Sequence, residues 1–129
     1  MNIENLYRNS ASHPDWEGSF TERLREYGEW NSNEFWKLHK ELTELAGEFS
    51  SAESIPKVVA ANIVSLQKSV CTSFAAHFNE NDVFSIKDIS DEQLHEYMER
   101  FDMVILGVFT GQVLPESSFD AVNPLLENN

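Results

Sequence analysis

The chain has 129 residues and a formal net charge of −13 at neutral pH, from 22 Asp and Glu against nine Lys and Arg. That length fits one domain able to bury a core without staples, and 41% hydrophobic content is too apolar for disorder. The charge argues against nucleic acid and against an anionic membrane surface as ligands, because both are gripped by clustered Lys and Arg.

Residues 2–18 are mixed, with Ile3, Leu6 and Tyr7 suggesting a turn or short helix ahead of the turn-forming run Ser10-Ala11-Ser12-His13-Pro14-Asp15. Ser19 followed by Glu22 reads as a capping box, and predicts a short helix from Phe20 to Tyr27 stopped by Gly28. Asn31 and Glu34 repeat that signature. Phe35, Leu38, Leu42, Leu45 and Phe49 then recur at three- and four-residue steps, the stripe of an amphipathic helix. Gly47 and Ser50-Ser51 mark its end. Pro56 opens the next helix, whose stripe is Val59, Ile63, Leu66, Val70, Phe74 and Phe78. No carboxylate lies between Lys57 and His77, so this segment is expected at the centre of the fold. Val83, Phe84 and Ile86 suggest a brief extended stretch or the anchor of a loop. Ser90 with Gln93 is a further capping box, and Asp91 and Glu92 suit a helix N-terminus. From there Leu94, Met98, Phe101, Ile105 and Val108 keep helical register to Gly111. The rival reading makes Met103–Phe109 a strand, but no second strong strand is available to pair with it. A helical turn is expected near Ser118–Val122. The fold expected is an all-α, single-domain bundle of four to six helices, residues 1–129, around the apolar helix 55–78.

The charge is unevenly placed. Residues 1–54 carry −6, residues 55–87 carry +1, and residues 88–129 carry −8 with Arg100 as their one base. Like charges gathered on a surface repel one another, and a cationic partner relieves that repulsion. The chain therefore reads as an acidic binding protein with no enzymatic activity.

Catalytic patterns are weak. His95 and Glu99 share a helix face with Glu96 between them, but the second histidine of the zinc-protease motif is missing. A metal-dependent hydrolase on these residues is the least favoured reading, and neither a metal nor a cofactor is expected. Asn79, Asn81 and Asp82 lack the offsets of a calcium loop. The single Cys71 cannot form an internal disulfide; a buried, reduced thiol is expected, in a reducing compartment. No basic n-region and apolar core open the chain, and the longest apolar run, Met103 to Phe109, falls well short of the ~20 residues that span a bilayer. A cytoplasmic protein is expected.

Aromatics and acids interleave near the N-terminus: Trp16, Phe20, Tyr27, Trp30, Phe35 and Trp36 among Asp15, Glu17, Glu22, Glu26, Glu29 and Glu34. Most of these rings suit a core. Trp16 and Tyr27, close to turns, suit aromatic anchors inside an acidic rim. A second acidic cluster is Asp88, Asp91, Glu92 and Glu96. The candidate binding residues are Asp15, Trp16, Glu17, Glu22, Glu26, Tyr27, Glu29, Asp88, Asp91, Glu92 and Glu96.

The runs Glu4-Asn5-Leu6-Tyr7-Arg8-Asn9, His13-Pro14-Asp15-Trp16-Glu17-Gly18-Ser19, Arg25-Glu26-Tyr27-Gly28-Glu29-Trp30 and Glu34-Phe35-Trp36-Lys37-Leu38 resemble a family of small bacterial immunity proteins from contact-dependent growth inhibition and related polymorphic toxin systems. Asp88-Ile89-Ser90-Asp91-Glu92, Val104-Ile105-Leu106-Gly107 and Ser118-Phe119-Asp120 extend the resemblance, which covers residues 4–38 and 79–126. It implies a cytoplasmic antidote that binds one cognate toxin domain, a basic nuclease and most readily an RNase, as a monomer forming a heterodimer. It implies no catalytic residue. The alternative class is an acidic adaptor or regulator for a basic partner.

Overall fold

The computed structural model describes residues 1–126. Five helices follow in order: α1 (Glu4–Arg8), α2 (Phe20–Tyr27), α3 (Ser32–Glu48), α4 (Lys57–His77) and α5 (Asp91–Thr110), with a 3₁₀ turn at Glu116–Ser118. The fold is an all-α bundle, as the periodicity predicts.

The helix ends follow the side chains that cap them. Ser19 accepts from the Glu22 N–H, and Asn31 accepts from the Glu34 N–H. Ser90 and Gln93 form a reciprocal capping box, which satisfies two of the amides a helix leaves orphaned at its start. Gly28 and Gly111 close α2 and α5 in the left-handed conformation. Met103–Phe109 lies within α5, so the strand reading does not hold. The turn expected near Ser118–Val122 sits slightly earlier, at Glu116–Ser118.

The placement of α4 differs from expectation. Only Val59, Ile63, Leu66, Val70 and Ser73 of its 21 residues are buried. The centre is instead the α3–α5 pair, the most closely packed in the molecule. α4 is long and apolar enough to cross a membrane by length and composition alone. Here its buried stripe joins the core, while Ala61, Val64, Ser65, Thr72 and Ala75 face outward. Cys71 follows from this shift: it is half-buried, not buried. Burial and the nearby Asp102 push its thiol pKa up, away from a reactive thiolate.

An aromatic cluster ties α2, α3 and α5 together. Phe35 meets Phe20 at 5.5 Å, Trp30 at 5.3 Å, Trp36 at 5.0 Å and Tyr97 at 5.0 Å between centroids. α1 is held from outside by Glu41 of α3, whose carboxylate accepts from the Asn5 and Leu6 N–H groups at 2.9 and 2.7 Å. Burial, helped by the nearby Glu4 and Glu44, still raises the Glu41 pKa; the two amide donors oppose that shift.

The C-terminal segment is strapped to the α3–α5 pair by a buried polar network. Glu116 pairs with Arg100 and accepts from the Asn123 N–H at 2.7 Å. Asn123 donates to the Trp36 carbonyl at 3.1 Å. The Phe119 ring lies 3.9 Å from the Arg100 guanidinium carbon, a cation–π contact. His39 sits between two donors, Arg100 Nη2 at 3.0 Å and Asn123 Nδ2 at 2.9 Å. A neutral imidazole can accept from one of them and an imidazolium from neither, so the ring is held neutral. Burial, then Arg100, lowers its pKa from 6.5 to about 3.

That shift fixes a sign. The unfolded chain takes up a proton at His39 below pH 6.5 and the folded chain does not, so this contribution to stability is complete above pH 6.5 and is lost as pH falls toward 3. Between pH 7 and pH 5 it amounts to about 2 kcal/mol. His39→Gln should therefore flatten the pH dependence of urea unfolding over that interval, whatever its own stability. An unchanged slope would show that His39 is not held neutral.

Candidate functional site

The structure sorts the candidate residues into three groups. Asp15, Trp16 and Glu17 lie in the loop before α2, which Arg8 organises. Its guanidinium donates to the Asp15 carbonyl at 2.9 Å and the Glu17 carbonyl at 3.1 Å, and pairs with Glu34 at 3.3 Å. The Asp15 and Glu17 side chains face solvent. Trp16 is only half-buried, and its indole N–H donates to Thr21 at 3.1 Å.

Glu22 does not belong to an exposed rim. It is 7% exposed, and its carboxylate accepts from the Gly18 N–H at 2.9 Å. It sits three residues inside α2, where a carboxylate folds back over the free amides of the helix start.

The second group forms where α2 ends. Gly28 accepts from the Lys87 N–H at 2.8 Å, and Glu29 and Lys87 make an isolated parallel bridge. This contact brings Glu26, Tyr27 and Glu29 beside residues 83–88, along a shallow groove that Val83, Phe84 and Ser85 also line. Tyr27 is 62% exposed. Glu29 pairs with Arg23 at 3.1 Å, and Glu26 lies 3.9 Å from Arg25. Lys87 borders the groove without an ion-pair partner among the described residues.

The third group is the start of α5. Asp91 and Glu92 are exposed, and Glu96 is half-buried. His77, at the end of α4, joins this group to the second. Its Nδ1 accepts from the Ile86 N–H at 2.8 Å, so Nε2 carries the proton that it donates to Asp91 at 2.9 Å. Asp88 holds a positive φ of 59°, a conformation Asp tolerates better than most side chains. The second and third groups thus share one end of the molecule, and the loop of Asp15 and Glu17 is held separately on Arg8.

The electrostatic outcome is sharper than the sequence alone conveys. Arg100, the one base after Lys87, is 3% exposed and paired with Glu116 inside the molecule. Every charged side chain from Asp88 to Asp120 that reaches solvent is therefore negative.

His95 is exposed, packs against Phe78 and Phe74 at 5.0 and 5.4 Å, and belongs to no cluster of three or more potential metal ligands among the described residues.

The fold and surface define a five-helix bundle with an anionic, aromatic-bearing end. Comparisons with family models, with curated proteins and with solved structures find no match, and the family resemblance rests on the residues quoted above.

Proposed function

We propose that this chain is an immunity protein that binds and neutralises one cognate toxin domain in the cytoplasm, the toxin being a basic nuclease and most readily an RNase. The supporting observation is the group of exposed carboxylates Asp88, Asp91 and Glu92 at the start of α5, set beside Tyr27, Glu26 and Glu29 by the contact between Gly28 and Lys87. A nuclease presents Arg and Lys to grip phosphates, and exposed carboxylates can occupy those same cations. Tyr27 supplies a large ring that loses little conformational freedom on docking. Asp88, Asp91 and Glu92 would surround it, and Asp15, Trp16 and Glu17 would extend the contact where the partner is broad enough. An acidic adaptor for a basic helix would use the same surface; no separate observation favours it.

Co-expression with the toxin domain encoded beside this gene tests the reading. Growth should be rescued, and the two chains should co-purify one to one. Arrested growth with no complex would overturn it.

A further inference from the structure

Where α4 ends against the first turns of α5, four rings meet. Phe78 lies 4.8 Å from Phe74, 4.8 Å from His77 and 5.0 Å from His95 between centroids, and His95 lies 5.4 Å from Phe74. The group is therefore continuous. Phe74 is half-buried against the core. Phe78, the residue that caps the end of α4, is 39% exposed, and His95 is exposed beside it.

Carboxylates border these rings. His77 donates from Nε2 to Asp91 at 2.9 Å. Asp91, Glu92 and Glu99 stand three or four residues from His95 along α5, which puts them on its face of the helix. All three are exposed. From Phe78 to Glu99 the chain carries seven carboxylates against one base, Lys87. Charge decides the occupant. A second copy of this chain, an acidic peptide and an anionic lipid surface are all repelled, and a cation is attracted. Exposed rings beside carboxylates then discriminate between cations. The planar guanidinium of arginine stacks on an aromatic face while its N–H fork pairs with a carboxylate; the compact, strongly hydrated ammonium of lysine is less suited to both. Resting on the reading of a basic partner, we propose that Phe78 and His95 form a platform for an arginine side chain of that partner, with Asp91 and Glu92 pairing its guanidinium. The acidic surface then selects arginine over lysine, at residues that the aromatic-rich N-terminal segment does not supply.

Titration calorimetry on the full chain at low ionic strength, without any toxin, tests this with two probes of equal charge, capped hexa-arginine and capped hexa-lysine peptides. The native chain should bind hexa-arginine about two- to fivefold more tightly, the size of an exposed cation–π contact. Phe78→Leu keeps apolar bulk and removes the π face, and His95→Gln removes the second ring at an exposed position. Each should weaken hexa-arginine binding about twofold or more, with hexa-lysine binding and the circular dichroism unchanged. The double variant should bind the two peptides alike. Equal affinity of the native chain for both peptides would overturn the proposal. So would a preference for arginine that survives the double variant, or a loss that hexa-lysine shares equally. Arrested growth on co-expression would sink the immunity reading and leave these affinities standing, so the two failures are distinguishable.

Discussion

Arg100→Met should destabilise the protein by about 3–5 kcal/mol, the loss expected when one partner of a buried ion pair is removed and the other stays charged. Glu116 is 3% exposed and Arg100 equally buried, so bulk water does not reach the stranded carboxylate. Methionine keeps much of the packing of the arginine stem, which makes the loss electrostatic and not steric. The double variant Arg100→Met, Glu116→Gln should recover at least half of the loss. Glutamine removes the stranded charge but still offers an oxygen to the Asn123 N–H, which Glu116 accepts at 2.7 Å in the native chain. The change should be local at first: the strap of residues 111–126 loosens while the α3–α5 pair holds. The Trp36 carbonyl accepts from the Asn123 side chain, and the Trp36 ring lies 5.9 Å from the Arg100 guanidinium carbon, so its fluorescence should report that loosening before the helices melt. Urea unfolding followed by fluorescence and by circular dichroism measures both effects. Equal stabilities for the single and double variants would show that the pair is not electrostatically coupled. Part of the guanidinium already lacks a protein partner: Nε and Nη1 are buried without one. The adjoining cavity, about 30 Å³, has room for a water to serve them.

Gly28→Ala should be the most damaging small substitution near the acidic end. Gly28 has φ +62°, and a Cβ there would stand 2.3 Å from the Ser85 carbonyl oxygen, which is backbone and cannot rotate aside. The left-handed conformation alone costs an L-residue about 1–2 kcal/mol. Displacing residues 85–87 also threatens the Lys87 N–H bond to the Gly28 carbonyl, worth about 1 kcal/mol. A total of about 2 kcal/mol or more is expected, with Tyr27 and Glu29 moved relative to Asp88. Toxin affinity should fall in proportion to that displacement. Gly47→Ala is the matched control, because nothing lies within 4 Å of its Cβ position and it is helical. Alanine there should stabilise by about 0.5–1 kcal/mol. Thermal melts and binding of both variants check the pair; a benign Gly28→Ala would mean that the contact between α2 and residues 85–87 does not position the site.

These two residues also show where sequence reading succeeds and where it stops. Helix ends were legible because their signals are local: Ser19, Asn31 and Ser90 each bond an amide three residues on, and Gly28 follows the last turn of α2. The stripe of α4 was equally legible, but its rank in the fold was not. Periodicity reports that a helix has an apolar face, not how many neighbours surround it, and the charged α3 proved more deeply set than the apolar α4. The buried network was invisible because its members are far apart. Arg100 meets His39 across 61 positions, and Asn123 meets Trp36 across 87. Read singly, Arg100 is a surface base among acids and Glu116 one more surface acid. Glu22 was misplaced for the converse reason: its local capping role took it out of the acidic rim. At the candidate site, Tyr27 and Glu29 were legible from composition, but their meeting with Asp88 depends on the contact between Gly28 and Lys87, and no spacing in the sequence encodes it.

The central claim is that exposed carboxylates at the start of α5 and the end of α2 capture a cationic protein. Stopped-flow association with the purified toxin domain measures it most directly, comparing the native chain with the variant Glu26→Gln, Glu29→Gln, Asp88→Asn, Glu92→Gln across ionic strength. The native rate should approach ~10⁸ M⁻¹s⁻¹ at low salt and fall steeply as salt is added. The neutralised variant should associate at least tenfold more slowly, with a flatter salt dependence. A native rate indifferent to salt, or a variant that binds as fast as the native chain, would contradict it.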